Sequence, residues 1–316
     1  MLLSRVAENV YWAGRYLERA ETTARLVHVH TELYLDLPLS HGVGWSPLLA
    51  VTGSAETFDE SYSAATEENV VGFLTSDAKN PGSVITSVDA ARSNLRATRN
   101  LLPPSTWEAI NEMHQWVTET ADDAVSRRSR MAWTDDVIKR CHLISGSMAS
   151  TMCRDELYSF MDVGRHLERA DMTTRVLDVQ AGVLTQGAGP NLARYADVTW
   201  MSVLRSLAAD QMFRRSSLGV LSGSAALRFL LQDPTFPRSV DRCLTEIARA
   251  LLELPGQGDA MAGSAEVAAT LEDADPDALA TGGLHEFVDG LQEGLGSIHD
   301  AIGAAYFEAA GAPVGA

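Results

Sequence analysis

Residues 14–25 read GRYLERAETTAR, and residues 164–175 read GRHLERADMTTR. Eight of the twelve positions are identical, although 150 residues separate the two copies. Around the first copy, apolar residues recur in alternating steps of four and three: Val6, Val10, Ala13, Leu17, Ala20, Ala24 and Val27. This spacing predicts a long helix with one apolar face. We expect helices over about 2–35 and 134–181, the second one kinked at Gly146.

The rest of the chain also shows helical periodicity, and no stretch alternates between apolar and polar residues as a strand would. We therefore expect an all-α protein, folded as a single large helical bundle over residues 1–316. Short connections favour antiparallel neighbours, and the two repeat helices are expected to pack together. The acidic segment 255–283, rich in small residues, is expected to be the most mobile part.

The repeated stretch carries charged residues away from its apolar face. At 100° per residue, Arg15, Glu18, Thr22 and Arg25 share one stripe, as do Arg165, Glu168, Met172 and Arg175 in the second copy. Arg19 and Arg169 lie on another side. A solvated face with weak pairs within each helix is the simplest interpretation, yet such a face has no need to repeat residue by residue.

Each copy of the repeat begins with a glycine. Gly14 and Gly164 sit inside helical stretches, where glycine costs about 1 kcal/mol relative to alanine. Close approach of another backbone would explain both. We therefore expect the two helices to cross at these glycines, with Glu18 and Glu168 held by arginines of the other copy in bidentate geometry.

Two functions for these charges stay open. They are either a structural ion-pair network or a site for a carboxylate, a phosphate or an amino acid. The candidate residues are Arg15, Glu18, Arg19, Arg25, Arg165, Glu168, Arg169 and Arg175.

Composition excludes several classes of protein. The formal charge is −17, and twelve acidic residues but no Lys or Arg follow Ala250, so nucleic acid is not an expected partner. No apolar run is long enough to span a membrane, and the charged start does not resemble a signal peptide. The three cysteines form no CxxC pair, which is typical of a reducing compartment. We expect a cytoplasmic protein without membrane attachment.

Catalytic and cofactor motifs are missing from the sequence. We find no GxxxxGK[ST], no strand followed by GxGxxG, no GxSxG and no Glu-x-x-His pair. His28 and His30 would lie on different faces of one helix and cannot chelate one ion together. No cofactor and no metal are therefore expected.

Several stretches resemble the bacterial alpha-E domain family. They are MLLSRVAENVYWAGRYLERAETTARLV (1–27), NPGSVITSVDAARSNLRATRNLLPPSTWEAIN (80–111), MDVGRHLERADMTTRVLDV (161–179), DPTFPRSV (233–240) and GLHEFVDGLQ (283–292). The resemblance covers nearly the whole chain and implies an entirely helical fold. Members are typically encoded beside circularly permuted ATP-grasp amide ligases and transglutaminase-like peptidases.

Carried onto this chain, the family's Glu-Arg signature falls on Glu18-Arg19 and Glu168-Arg169. Further contacts implied by the resemblance are Arg92, Asn94, Arg96, Arg99, Arg238 and Ser239. Met172 and Thr174 replace Thr22 and Ala24 in the second copy, so the two copies are not chemically identical.

Three functions follow as hypotheses. The first is an accessory subunit that binds an ATP-grasp amide ligase, and with it a peptide-processing protein, in making peptide or amide bonds. The second is an enzyme that acts on a peptide or amino acid through Glu18 or Glu168. The objection is that a carboxylate surrounded by arginines is a poor base near neutral pH. The third is a homo-oligomeric scaffold.

Overall fold

The computed structural model describes residues 2–36, 44–186, 196–216 and 221–307. Within these residues the chain is all-α, as predicted, and contains no strand. The ends of the predicted unit, at residue 1 and at 308–316, lie outside the described residues.

In the first half, the described residues 2–36 and 44–151 form seven helices and one short 3₁₀ turn. They are α1 (Ser4–Asp36), α2 (Ser46–Val51), α3 (Ala55–Asp59), α4 (Glu67–Thr75), α5 (Val84–Ala97), the 3₁₀ turn Arg99–Leu101, α6 (Pro104–Val125) and α7 (Arg130–Thr151).

The second half continues in the same way. It contains α8 (Glu156–Gln186), α9 (Ala196–Ser206), α10 (Asp210–Ser216), α11 (Gly223–Gln232), α12 (Val240–Leu252), α13 (Gly258–Glu272), α14 (Pro276–Leu279), α15 (Leu284–Ile302) and a closing π-helical turn, Gly303–Phe307.

The first repeat helix is confirmed by α1, but the prediction of one helix over 134–181 is wrong. Helix α7 ends at Thr151, and α8 begins at Glu156. The carboxylate of Asp155 accepts a hydrogen bond from the Tyr158 amide at 3.2 Å, so it satisfies a free N–H at the start of a new helix. Gly146 lies inside α7, and the helical structure is interrupted at 152–155 instead.

The acidic segment 255–283 packs on the bundle, and its mobility stays a prediction. Helix α13 occupies most of it and packs against α15. Val267 and Leu271 supply the apolar contacts, and both are buried. Gly294 of α15 allows this close packing, because a Cβ at that position would overlap the side chain of Val267.

The two halves repeat one another well beyond the twelve residues that the sequence displays. Packing of α1 on α5 and α7 recurs as packing of α8 on α12 and α15. Helix α6 packs between α5 and α7 as α13 does between α12 and α15. The halves also exchange contacts, because α2 packs on α8 and α9 packs on α1. Such reciprocal contacts are those of a twofold pseudo-symmetric pair.

Local turns repeat as closely as the helices. Gly53 adopts φ +63° after α2, and Ala208 adopts φ 53° at the matching place after α9. In each turn, the amide of the following residue donates a hydrogen bond to the carbonyl five residues earlier. The Ser54 amide donates to Leu49 at 2.9 Å, and the Ala209 amide donates to Leu204 at 2.7 Å. This is the left-handed helix end that favours glycine, and the second half keeps it with alanine.

The loops before α5 and α12 form another matching pair. Residues 77–84 read DAKNPGSV, and residues 233–240 read DPTFPRSV. Ser83 and Ser239 both cap the following helix, accepting from the amides of Thr86 and Arg242. At the position before the cap, Gly82 in the first half corresponds to Arg238 in the second.

Candidate functional site

Helices α1 and α8 cross at the two repeat glycines, as predicted. A Cβ placed on Gly14 would overlap the carbonyl oxygen of Met161, and one on Gly164 would overlap the carbonyl oxygen of Tyr11. Backbone oxygen cannot move aside as a flexible side chain can. The glycines therefore set the distance between the helices, and this distance brings the Glu-Arg pairs of the two helices into contact.

The signature glutamates are each held by arginines of the other copy. Glu168 accepts hydrogen bonds from Arg19 through Nε at 2.5 Å and Nη2 at 3.0 Å, and from Nε of Arg15 at 2.7 Å. Glu18 accepts from Arg169 through Nε at 3.0 Å and Nη2 at 2.7 Å. We call these reciprocal Glu18–Arg169 and Glu168–Arg19 pairs the clasp. Both are bidentate, the strong geometry for an arginine and a carboxylate.

Burial and charge decide the state of the clasp glutamates. Burial alone would raise the pKa of Glu18, but Arg169 and Arg238 outweigh it and hold the pKa below its ordinary value. For Glu168, burial is likewise outweighed by Arg19 and Arg15, so its pKa is lowered too. Both carboxylates are therefore ionised at neutral pH and poor proton acceptors.

The remaining arginines of the repeat do not reach across. Arg25 donates to Glu21 at 2.7 Å, one turn earlier in its own helix. Arg175 donates through Nε to both carboxylate oxygens of Asp171 at 3.0 Å, at the matching place in α8. Arg25 and Arg175 therefore pair within their own helices and hold neither Glu18 nor Glu168.

Arg165 also departs from the repeat. It pairs with Asp162 in its own helix, whereas its counterpart Arg15 reaches Glu168. Asp162 is buried and also accepts a hydrogen bond from Arg249 of α12 at 2.9 Å. The first helix has Trp12 at the position of this acidic residue, so it offers Arg15 no carboxylate there.

Arg238 joins the clasp from a third element, the loop before α12. Its guanidinium is buried and donates to Glu18 at 2.5 Å through Nη1 and to Glu21 at 2.6 Å through Nη2. Ser239 has a structural function as the cap of α12. The pKa of Glu21 is held well below its ordinary value, because Arg238, His142 and Arg25 overcome the effect of burial.

The arginine-rich patch of α5 lies elsewhere. Arg92 donates to Asn111 of α6 at 2.7 Å and lies over the ring of Trp107. Arg96 and Arg99 are exposed, and Asn94 is partly buried. None of these four residues contacts the clasp or lines the pocket described next, so the structure does not bring them into this site.

Sequence reasoning missed Glu21 and Asp171. The signal was present, since GRYLERAETTAR and GRHLERADMTTR carry an acidic residue at the same place. Asp171 is 17% exposed. Burial raises the pKa of Asp171, and Arg175 only partly offsets this effect. Two matching acids thus have opposite pKa shifts, because Glu21 meets Arg238 and Asp171 has no equivalent cation.

A pocket of about 220 Å³ opens beside the clasp on the side of Glu168. Its wall combines charges with hydroxyl groups and glycine: Arg19, Thr23, Thr52, Gly53, Ser54, Thr57, Asn80, Pro81, Gly82, Glu168, Asp171, Met172 and Arg175. A second cavity, on the side of Glu18, has room for about one water molecule at 10 Å³. The two sides of the clasp therefore differ in open volume.

Among the described residues, one surface group has the composition of a metal site. Asp178, His285 and Asp289 place a nitrogen or oxygen atom each within reach of one ion. His285 already bonds Asp178 at 2.8 Å, and this hydrogen bond raises the pKa of the imidazole. Two of the three side chains are exposed, so an ordinary surface ion pair accounts for the group.

Comparison with known proteins gives relatives and a family. An uncharacterized protein of Mycobacterium bovis and two of Mycobacterium tuberculosis strains are each 26% identical over 274 residues. The match takes in 80% of this chain but 30% of each relative. No solved structure matches the chain. In the described residues, no helix has the length and apolar character to cross a membrane.

The family model named Alpha-E, described as an alpha-helical domain with a conserved ER motif, matches residues 2–307. Both Glu-Arg pairs of the clasp fall inside this range, and the all-helical fold agrees with the description. This chain therefore belongs to the Alpha-E family.

Proposed function

We propose that this chain is a non-catalytic accessory subunit that works with an ATP-grasp amide ligase in forming peptide or amide bonds in the cytoplasm. The observation that carries the non-catalytic part is the paired state of Glu18 and Glu168. Each is buried and held by two arginines. Their function is then to join the two halves of the molecule rather than to move protons.

The requirements of general base catalysis argue against the clasp as a reaction centre. A catalytic carboxylate needs a pKa near the working pH and an atom that can reach substrate. The clasp glutamates have lowered pKa values, and their oxygens already accept hydrogen bonds from arginine. Removing a proton from substrate would require breaking these pairs first.

The mycobacterial relatives support a function within a larger assembly. This chain spans about a third of their length, so in those proteins the matching region is joined to much additional sequence. The class of partner, an ATP-grasp ligase together with a transglutaminase-like peptidase, comes from the family resemblance.

The test is reconstitution with an ATP-grasp amide ligase of the class that is typically encoded beside members of the family. We expect the two purified proteins to elute as one complex of defined stoichiometry, and amide formation from ATP to need both. Glu18→Gln, which weakens the clasp, should reduce the joint activity, whereas the exposed Glu112→Gln should not. Two proteins that elute apart, with ligase activity unaffected by this chain, would refute the partnership. A self-associated chain that binds no ligase would point to the scaffold instead.

A second candidate, an enzyme in its own right, is favoured by Asp171. This carboxylate lines the pocket and has a raised pKa, as a proton-transferring group needs. Its prediction is turnover of a peptide or amino-acid substrate by the chain alone, lost in Asp171→Asn. The accessory function predicts that no such turnover occurs without the ligase.

A further inference from the structure

The clasp has two sides that are built from matching elements, and only one side is filled. On the filled side, Arg238 enters from the loop before α12 and bonds Glu18 and Glu21. The same loop is tied to α8 by Thr173, whose hydroxyl donates to the carbonyl of Arg238 at 3.0 Å. Protein atoms thus occupy the space between α8, α1 and this loop.

On the open side, the matching residues leave that space empty. Gly82 stands in place of Arg238 and supplies no side chain. Thr23, the counterpart of Thr173, is 1% exposed, and its hydroxyl has no hydrogen-bond partner among the described residues. Leaving a buried hydroxyl without a partner is unfavourable, and Thr23 lines the 220 Å³ pocket.

The wall of the open side is also more polar than that of the filled side. The turn after α2 presents Thr52, Ser54 and Thr57 to the pocket. The matching turn after α9 carries Leu207, Ala209 and Met212 at these positions. The hydroxyls of Thr52 and Ser54 bond each other at 2.7 Å, and Thr52 also donates to the Leu48 carbonyl at 2.9 Å. They keep these partners whatever the cavity holds, and they give this wall a polar surface that suits a polar ligand better than an apolar one.

The charged groups of the pocket that have no hydrogen-bond partner in the described part of the chain are N–H donors of arginine. Glu168 is paired with Arg15 and Arg19, and Asp171 is paired with Arg175. No described residue accepts a hydrogen bond from Nη1 of Arg19 or from either Nη atom of Arg175.

The local charge points the same way. Arg19 and Arg175 line the pocket together with Glu168 and Asp171, and Arg15 pairs with Glu168 from outside the lining. The three arginines around these two carboxylates leave one positive charge in excess. The pocket also lies beside the start of α5, the positive end of that helix.

We propose that this pocket binds a small molecule through an oxyanion, a carboxylate or a phosphate, held by Arg19, Arg175 and the hydroxyl of Thr23. The ligand would occupy the volume that Arg238 occupies in the other half. Its oxygens would accept hydrogen bonds from the N–H groups of Arg19 and Arg175 that have no acceptor among the described residues. Arginine is suited to this, because its planar guanidinium matches the geometry of carboxylates and phosphates. This inference does not depend on the ligase partnership.

The test uses calorimetric titration of the full chain with inorganic phosphate, glutarate and methylguanidinium. We expect either phosphate or glutarate to bind at one molecule per chain. The anion that binds shows whether the pocket prefers a phosphate or a carboxylate. Thr23→Val should weaken this binding about tenfold, the equivalent of one hydrogen bond, without loss of thermal stability. Methylguanidinium should not bind.

A blocking variant and its control make the assignment specific. Gly82→Met would fill the pocket with an uncharged side chain of about the length of arginine. Its backbone tolerates a side chain, because a Cβ there would meet the Asn80 carboxamide oxygen at 3.4 Å. Anion binding should disappear in Gly82→Met and persist in Gly146→Met, where nothing lies within 4 Å.

Three results would overturn the proposal. The first is absence of anion binding to the unaltered chain at concentrations up to about 10 mM, far above the range of specific affinities. The second is equal anion binding by Gly82→Met and the unaltered chain. The third is saturable binding of methylguanidinium, which would mean that the pocket accepts a cation in place of Arg238.

Discussion

Glu18 is 2% exposed and meets one guanidinium from α8 and another from the loop before α12. Glu18→Gln removes the negative charge and leaves Arg169 and Arg238 buried without it. Breaking a buried pair by removing one partner costs about 3–5 kcal/mol. We expect the free energy of unfolding, measured by urea denaturation, to fall by that amount. The exposed Glu112→Gln should change it by no more than about 0.5 kcal/mol, and a similarly small effect of Glu18→Gln would contradict the buried clasp.

His30 gives the protein a pH dependence in the mildly acidic range. Burial lowers the pKa of His30 from 6.5 to about 4, although a hydrogen bond to the Gly44 carbonyl partly opposes this. Between these pH values the unfolded chain binds a proton that the folded protein does not. Stability is therefore retained above pH 6.5 and lost as the pH falls toward 4.

The measurement is urea denaturation at pH 8 and pH 5. We expect His30 to lower the unfolding free energy by about 2 kcal/mol at pH 5 relative to pH 8. His30→Gln, which keeps a donor for the Gly44 carbonyl, should remove that part of the pH dependence. The surface variant His114→Gln should keep it. An unchanged pH dependence in His30→Gln would contradict the assignment.

At the scale of the helices, α1 and α8 can cross closely because Gly14 and Gly164 carry no Cβ atom. Glycine inside a helix is unfavourable by about 1 kcal/mol relative to alanine, so Gly→Ala ordinarily stabilises. Gly14→Ala should instead destabilise by about 2–3 kcal/mol, because its Cβ would overlap the Met161 carbonyl and push the helices apart. Thermal unfolding of Gly14→Ala beside Gly146→Ala is the measurement.

The two glycine variants should shift the melting temperature in opposite directions. Gly146 lies in α7, and a methyl group added there would have no neighbouring atom within 4 Å. Gly146→Ala therefore reports helix propensity alone and should stabilise. A stabilising effect of both variants would mean that α1 and α8 do not approach closely at Gly14.

At the scale of the whole molecule, the halves hold each other together. Helix α1 buries its apolar face against α8, α2 packs on the opposite half, and Glu18 depends on Arg169 and Arg238. Residues 1–152 and 153–316 produced separately should each show reduced helicity and no cooperative unfolding. Mixed in equal amounts, they should regain helicity and elute as a 1:1 complex.

Circular dichroism and size-exclusion chromatography of the fragments provide the measurement. A 153–316 fragment with Gly164→Leu is the control, since its crossing is blocked and it should fail to restore the complex. Cooperative unfolding of either half alone would show instead two independent domains, contrary to the single unit expected from the sequence.

Residues and spacing determined a large part of this protein. The regular apolar seam from Val6 to Val27 predicted α1, and the paired glycines predicted the crossing with α8. Matching Glu-Arg positions predicted the reciprocal clasp. These features depend on helical periodicity and on backbone sterics, which operate over a few residues and can be read directly from the sequence.

Tertiary structure alone decided the rest. Gly82 and Arg238 are a matching pair only once the loops before α5 and α12 are seen to occupy equivalent places. The break at 152–155 is local and coincides with the Asp155 cap, but the surrounding stretch keeps helical periodicity, so periodicity alone did not show it. The carboxylates that Arg15, Arg169 and Arg238 meet are 153, 151 and 220 positions away along the chain. The pocket beside Thr23 likewise depends on elements that are distant in sequence. Periodicity carries no information about such contacts, since side-chain length and helix spacing determine them in three dimensions.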